Sequence, residues 1–288
     1  LSRRYGFKPD IVHAHVALPA GLAGALMKRL LGVPLVITEH TSPFSLLMRN
    51  RVAAFATRVA LLAADRVIAV SRSLHAEILA YPKLRRQVDI VPNVVDVRAF
   101  ARERVARASG FRLLFVGEME TRRKGVEYLL RAMSLLRERG LDVCLDLVGG
   151  GRHEEMYRGM AAKLGLSAMC RFHGAVPHDR VASLMADVDL FVLPSLAETF
   201  GVVLVEAMAA GLPVVATRCG GPEEVVTPDV GVLVEPADSE SLADALADIL
   251  GRLDEFPSEH LRRAAEERYG QKSVAARMVD LYKEVIGR

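Results

Sequence analysis

From residue 111 onward, short apolar runs alternate with stretches in which apolar residues recur every three or four positions. The runs cover 113–116, 143–148, 170–173, 190–193, 213–216 and 230–234, and the helical stretches cover 125–139, 153–164, 178–186, 201–210 and 239–253. A short continuous apolar run bounded by turn residues suits a strand buried on both faces, and the three-to-four period suits an amphipathic helix. Their alternation predicts a parallel sheet covered by helices on both sides. Right-handed crossovers then make it a doubly wound, Rossmann-type layer.

The first third is α/β in the same sense but less complete. Residues 10–15, 34–40, 66–70 and 88–91 read as strands, and 21–31, 50–63 and 73–80 as helices. Residues 97–110 are charged, lack a strand period and read as a linker. In the tail, Val274, Met278, Leu281 and Val285 stand at helical spacing, so a terminal helix over 271–286 must bury that face somewhere. The expected architecture is two Rossmann-like doubly wound domains, 1–105 and 106–270. Ligands of open parallel sheets bind beyond the carboxyl ends of the strands, so the expected site is the cleft between the domains.

Composition narrows the class. A length of 288 residues suits two domains at about 150 residues each. Hydrophobic residues at 51% and charged residues at 25% exclude a disordered tail, a collagen-like fibre and a coiled coil. A net charge of +3 gives no reason to expect nucleic acid as a partner. Cys144, Cys170 and Cys219 are an odd count in largely apolar surroundings and read as small buried hydrophobes of a reducing compartment. The longest charge-free apolar stretch, 11–27, holds two histidines and a proline and falls short of the ~20 residues of a membrane span. The opening LSRRYGFKPD has no apolar signal core, so a cytoplasmic location is expected. The first residue is not Met and the chain starts inside a βα unit, so an N-terminally incomplete first domain is expected.

The candidate chemistry lies just after the strands. Gly117 is followed by a loop that ends in Arg122-Arg123-Lys124-Gly125 and leads into a helix. Three cations at a helix N-terminus oppose its dipole unless an anion such as phosphate binds there; a solvated basic loop is the other reading. The second constellation is Glu198-Thr199-Phe200-Gly201-Val202-Val203-Leu204-Val205-Glu206. Gly201 lets a ligand approach the backbone, and the amides of Phe200, Gly201, Val202 and Val203 form a second anion site at a helix start. Glu206 lies in an otherwise apolar helix and must be paired, either to the hydroxyls of a ribose or to a local arginine or the backbone.

Glu198, seven intervening residues and Glu206 resemble the E-x7-E motif of glycosyltransferase family 4, retaining enzymes of the GT-B fold that use nucleotide sugars. Other parts agree in order: His13-Ala14-His15 at a strand end, Val91-Pro92-Asn93-Val94-Val95-Asp96, Lys124-Gly125, Leu147-Val148-Gly149-Gly150-Gly151, and Gly220-Gly221-Pro222-Glu223. The resemblance covers nearly the whole chain, and its ordered combination is specific where no single motif is.

The resemblance implies roles. Lys124, helped by Arg123 or Arg122, neutralises the leaving diphosphate of a nucleoside-diphosphate sugar; Glu206 grips the ribose; Glu198 and the 200–203 amides hold sugar hydroxyls and phosphate oxygens. The backbone near Val176 meets the base, and His15 faces the transferred hexose. The terminal helix 271–288 is expected to pack back on the first domain. The acceptor is a carbohydrate or a lipid-linked one. A lipid acceptor implies contact with the cytoplasmic membrane face, which the basic residues Lys28, Arg29, Arg49, Arg51 and Arg58 of the helices over 21–31 and 50–63 suit. No cofactor and no metal are implied. Asp187-Val188-Asp189 spells a metal-binding D-x-D but opens a strand, at the wrong end of the sheet. The resemblance departs at Glu118, where the family usually has Arg; a carboxylate there repels a diphosphate. That departure and the missing N-terminal strand support a second reading, a nucleotide-sugar-binding remnant without turnover. A sugar-nucleotide epimerase of the same fold is a third, disfavoured by the E-x7-E spacing and the Lys-Gly pair.

Overall fold

The computed structural model describes residues 6, 8–41, 43–81, 87–102 and 110–287. Contacts divide the chain into two compact units. One runs to Asn93 and resumes at Lys272; the other is Val94–Gln271.

In the first unit, β1 (Val12–His15), β2 (Leu35–Glu39), β3 (Arg66–Ala69) and β4 (Val88–Ile90) form a parallel sheet in sequential order. Helices α1 (Leu22–Leu31), α2 (Arg51–Ala63) and α3 (Arg72–Leu79) make the crossovers. Asn50 and Ser71 cap α2 and α3 by accepting amide hydrogens from Val52 and Leu74, which accounts for the helix starts. The terminal helix α11 (Gln271–Ile286, numbered after the helices of the second unit) lays Val274, Leu281 and Val285 onto Val36, Ile68 and Val91. Arg66, only 3% exposed, latches it there through Glu284 at 2.7 Å and also pairs with Asp89 at 3.2 Å.

In the second unit, β5 (Phe111–Val116), β6 (Val143–Val148), β7 (Cys170–Gly174), β8 (Leu190–Leu193), β9 (Val214–Thr217) and β10 (Gly231–Val234) form a parallel sheet ordered β10-β9-β8-β5-β6-β7. Helices α4 (Val126–Glu138), α5 (Glu154–Lys163), α6 (His178–Ala186), α7 (Val202–Ala210), α8 (Pro222–Val225), α9 (Ser239–Gly251) and α10 (Ser258–Tyr269) surround it. Helix α7 is apolar on every side apart from Glu206 and lies inside, packed against α10. One buried charge on the sheet, Asp146, is compensated by Arg112 and His173, each at 2.7 Å.

The expected boundary and linker need correction, and one helix is added. The compact units part at 93/94, not at 105/106: Val97 and Phe100 are buried, and their short turn packs on α6 and α7, so this stretch is not a linker. Residues 103–109 of the expected linker lie outside the described residues. Helix α10 had no counterpart in the pattern. Its buried stripe is Leu261, Ala264, Ala265 and Tyr269, too narrow and too small to stand out among its charges.

Candidate active site

The sheet of the second unit changes winding direction between β5 and β8. At such a switch point the two following loops diverge and leave a crevice at the carboxyl ends of the strands. Those two loops carry Lys124 and Glu198.

Backbone chemistry brings them together. Gly125 has φ +67°, and a Cβ on it would come within 1.9 Å of the Pro194 carbonyl oxygen. The Leu196 amide donates to the Arg123 carbonyl at 2.7 Å. The loops are thus sewn together on both sides of Lys124, whose Nζ donates to Glu198 Oε2 at 2.5 Å. Both side chains are 14% exposed, so the pair is largely shielded from water. On the other flank, Gly149 has φ +128°, and a Cβ there would meet the Gly117 carbonyl oxygen at 1.8 Å. Only glycine lets the β6 loop lie against the β5 loop at Gly117.

Helix α7 starts at Val202 with no side-chain cap at Gly201. The Val202 and Val203 amides at its start have no carbonyl one turn earlier in the helix and carry its positive dipole end, while the Leu204 amide donates to the Gly201 carbonyl at 2.9 Å. The Phe200 ring is core, 2% exposed and edge-on to Tyr269 at 5.5 Å, so only the Phe200 backbone is left for a ligand. Glu206, one turn further on, is 8% exposed, and its Oε1 meets His178 Nε2 at 3.1 Å. His178 opens α6, two residues after the half-buried Val176, and its ring is 66% exposed. The buried carboxylate is thus held by an exposed imidazole rather than by an arginine.

The remaining cations and the departure at Glu118 read differently in three dimensions. The Arg122 guanidinium is engaged by Glu127 in the first turn of α4, with Nε 2.7 Å from Oε2. Arg123 is half-buried and offers its carbonyl to the stitch described above. Glu118 folds back on its own loop: Oε2 accepts from the amides of Glu120 at 2.6 Å and Thr121 at 3.1 Å, and Oε1 accepts from the Thr121 hydroxyl at 3.0 Å. Burial alone would raise its pKa; the Thr121 and Glu120 hydrogen bonds and Lys124 outweigh it and hold the carboxyl below its usual range. Glu118 therefore stays ionised, with its charge spent on ordering the loop. Asp189 of the D-x-D sequence accepts from the Arg112 amide at 2.9 Å at the amino end of β8.

His15 belongs to the first unit, where it ends β1. Its ring stacks between His13 (4.6 Å) and His40 (5.3 Å), with Nδ1 3.0 Å from His40 Nε2. Glu39, fully buried, ties down this corner by accepting from the amides of Ala17, His40 and Thr41 at 2.8–2.9 Å. It holds the backbone beside Val16, a β-branched residue at φ +66°. Glu39 and His178 were missed in the sequence. A lone acid ending an apolar strand before a histidine was the only available signal for Glu39.

His13 is bonded on both ring nitrogens, to Tyr282 at 2.6 Å and Thr38 at 2.8 Å. Burial first, then His15 and His40, push its pKa down to about 4. The unfolded chain binds that proton near pH 6.5 and the folded chain does not, so acid favours unfolding. The stabilisation is whole above about pH 6.5 and is lost as pH falls toward 4. The melting temperature should therefore be lower at about pH 5 than at about pH 7, and His13→Gln should flatten that difference; an unchanged slope in the variant would count against this origin.

All three cysteines are free thiols. Cys144 is exposed, contrary to its reading as a buried hydrophobe. Burial raises Cys170 to about 12 and Cys219 to about 11, so neither supplies a thiolate at neutral pH.

Residues 97–268 match the family described as glycosyl transferases group 1, and residues 1–99 match Glycosyltransferase Family 4. The chain belongs to these glycosyltransferases. It is 34% identical to D-inositol 3-phosphate glycosyltransferase 1 of Catenulispora acidiphila, over 96% of this chain and 72% of that protein. It is 33% identical to the MMP alpha-(1->4)-mannosyltransferase of Mycolicibacterium hassiacum, over 97% and 71%. Among solved structures, sucrose-phosphate synthase from Thermosynechococcus elongatus superposes with a TM-score of 0.85 at 25% identity, over 99% of this chain and 75% of that one. Anabaena HepE in complex with UDP-glucose superposes at 0.78 with 23% identity, over 96% and 79%, a likeness of fold. The two parallel-sheet units are thus those of a GT-B glycosyltransferase.

Proposed function

We propose that this glycosyltransferase moves a hexose-type sugar from a nucleoside-diphosphate sugar to an acceptor hydroxyl, with retention of configuration and without a metal. The observation that carries the reading is the meeting of Lys124 and Glu198 across the β5/β8 switch point, just before the uncapped start of α7. The relatives' names, a mannosyltransferase among them, and the UDP-glucose complex of a protein of the same fold support it.

The bond that breaks joins the anomeric carbon to a diphosphate oxygen, and negative charge collects on the departing diphosphate. Lys124 has three N–H donors; one engages Glu198, which holds the ammonium in place, and two remain for phosphate oxygens. The α7 amides add fixed positive charge without reorganising. Glu206 accepts from the ribose hydroxyls in place of His178, and the backbone near Val176 borders the base. Glu198 also holds a sugar hydroxyl, and His15 offers an exposed imidazole to the transferred sugar. The acceptor oxygen enters on the face the diphosphate leaves, and its proton passes to the departing phosphate oxygen. The acceptor is a carbohydrate or lipid-linked hydroxyl, and the setting is the cytoplasm.

A panel of UDP, GDP and ADP by thermal shift tests the reading. One of them should raise the melting temperature clearly, since a ligand at about 100 times its Kd adds about 2.7 kcal/mol to stability. No shift with any of them would overturn the donor assignment. Binding with no transfer to any acceptor hydroxyl would favour a binding remnant, the reading that Glu118 motivates.

A further inference from the structure

The second unit holds a buried charge cluster that no step of the proposed transfer uses. Asp146, within β6, is 1% exposed; its Oδ1 meets His173 Nε2 at 2.7 Å and its Oδ2 accepts from Arg112 Nε at 2.8 Å. Against well-packed apolar side chains such a cluster contributes little to stability. What it does fix is the imidazole ring. The Arg112 guanidinium already balances the carboxylate, and an ionised carboxylate only accepts, so Nε2 of a neutral His173 carries the hydrogen. Nδ1 is then a bare acceptor. Among the described residues nothing bonds it.

The backbone around His173 is irregular. Leu147 pairs with Phe172 and Val148 with Gly174, so His173 is an extra residue in β7 with no partner of its own on β6. Bulges of this kind re-aim a side chain, and they collect beside active sites. Gly174 follows at φ +66°, and its carbonyl accepts from the Gly149 amide at 2.8 Å, which ties the end of β7 to the β6 loop. His173 therefore stands at the carboxyl end of β7, at the root of the loop Gly174-Ala175-Val176, with its side chain 16% exposed. Asp146 is in register with Arg171, further back along the strand. Nε2 thus reaches back along the sheet, which leaves Nδ1 on the loop side of the ring.

We propose that His173 selects the nucleobase of the donor, its Nδ1 accepting a hydrogen bond from a ring N–H of the base. Uracil and guanine carry such a hydrogen, at N3 and N1. Cytosine and adenine have a bare accepting nitrogen at those places, which would meet Nδ1 lone pair to lone pair. Asp146 and Arg112 are positioning residues that act only through the tautomer of the ring. The inference rests on the proposed donor reading, in which the base lies against the loop at Val176.

Calorimetry of the full chain with UDP, GDP, CDP and ADP tests it, since UDP and CDP are alike in size and differ in the hydrogen-bonding edge of the base. UDP or GDP should bind at least about tenfold tighter than CDP and ADP. His173→Gln puts an amide nitrogen where Nε2 stood, keeps the bond to Asp146 and has no atom in place of Nδ1. It should bring the four affinities to within about threefold of one another and leave the melting temperature without nucleotide unchanged, a loss of selectivity that a merely structural role would not cause. Asp146→Asn presents an amide N–H to Nε2, so the ring reverses its tautomer, Nδ1 becomes a donor and CDP should gain on UDP. That arm carries the test should His173→Gln fold poorly. A wild-type chain that binds CDP or ADP as tightly as UDP and GDP overturns the proposal, as does selectivity that the folded variants retain; either result leaves the donor reading intact. A chain that binds none of the four overturns the donor reading and this inference together.

Discussion

Lys124→Ala is expected to lower kcat by about 10²–10³-fold and to move KM far less. The physical reason lies in the proposed reaction, in which negative charge on the departing diphosphate grows as the anomeric bond breaks. An ammonium beside it stabilises the transition state more than the bound donor. Lys124 is well placed for this because Glu198 holds it at 2.5 Å in a shielded position, which removes most of the freedom of a lysine side chain before the donor arrives. The variant also leaves Glu198 unpaired and largely buried, a second source of repulsion toward the diphosphate. Lys124→Arg separates the two effects: it restores the charge and the pairing but replaces a compact donor with a planar fork, so partial recovery of kcat is expected. Steady-state kinetics at saturating donor give the answer. A variant with normal kcat and raised KM would show that the lysine only binds.

Glu206→Ala should weaken nucleoside diphosphate binding by about 1–3 kcal/mol, or roughly ten- to a hundredfold. The carboxylate is 8% exposed and meets the His178 imidazole, so ribose hydroxyls that replace that partner regain hydrogen bonds that water cannot easily supply. Calorimetry on a folded variant checks this. Unchanged affinity would mean that Glu206 serves only to hold His178 and the start of α6. His178→Ala sharpens the contrast: it removes the competitor and leaves the carboxylate, so affinity should hold or rise.

Much of the fold was legible because buried parallel strands announce themselves. The runs at 143–148 and 190–193 coincide with β6 and β8: β8 is buried throughout, and β6 is apolar but for Cys144, which is exposed, and Asp146, which Arg112 and His173 pair. Helix α10 is not legible, because its buried stripe is only Leu261, Ala264, Ala265 and Tyr269 amid charges. The turn at Val97–Phe100 reads as linker in the sequence because its two anchoring side chains sit among charges. Within the site, the two acids and the lysine could be picked out by type and spacing. Their partners could not: that Arg122 turns to Glu127, that Glu118 caps its own loop and that Glu206 meets His178 depend on where loops from different strands fall.

The amino-acid pattern was enough for parallel α/β layers, and its motifs were enough for the resemblance to the glycosyltransferases and for Lys124, Glu198 and Glu206 as candidate charges. Periodicity and short-range spacing are local properties, carried by a few consecutive residues. Tertiary folding brings Lys124 and Glu198 together, because 74 positions of chain separate them and the order of strands in the sheet closes that gap.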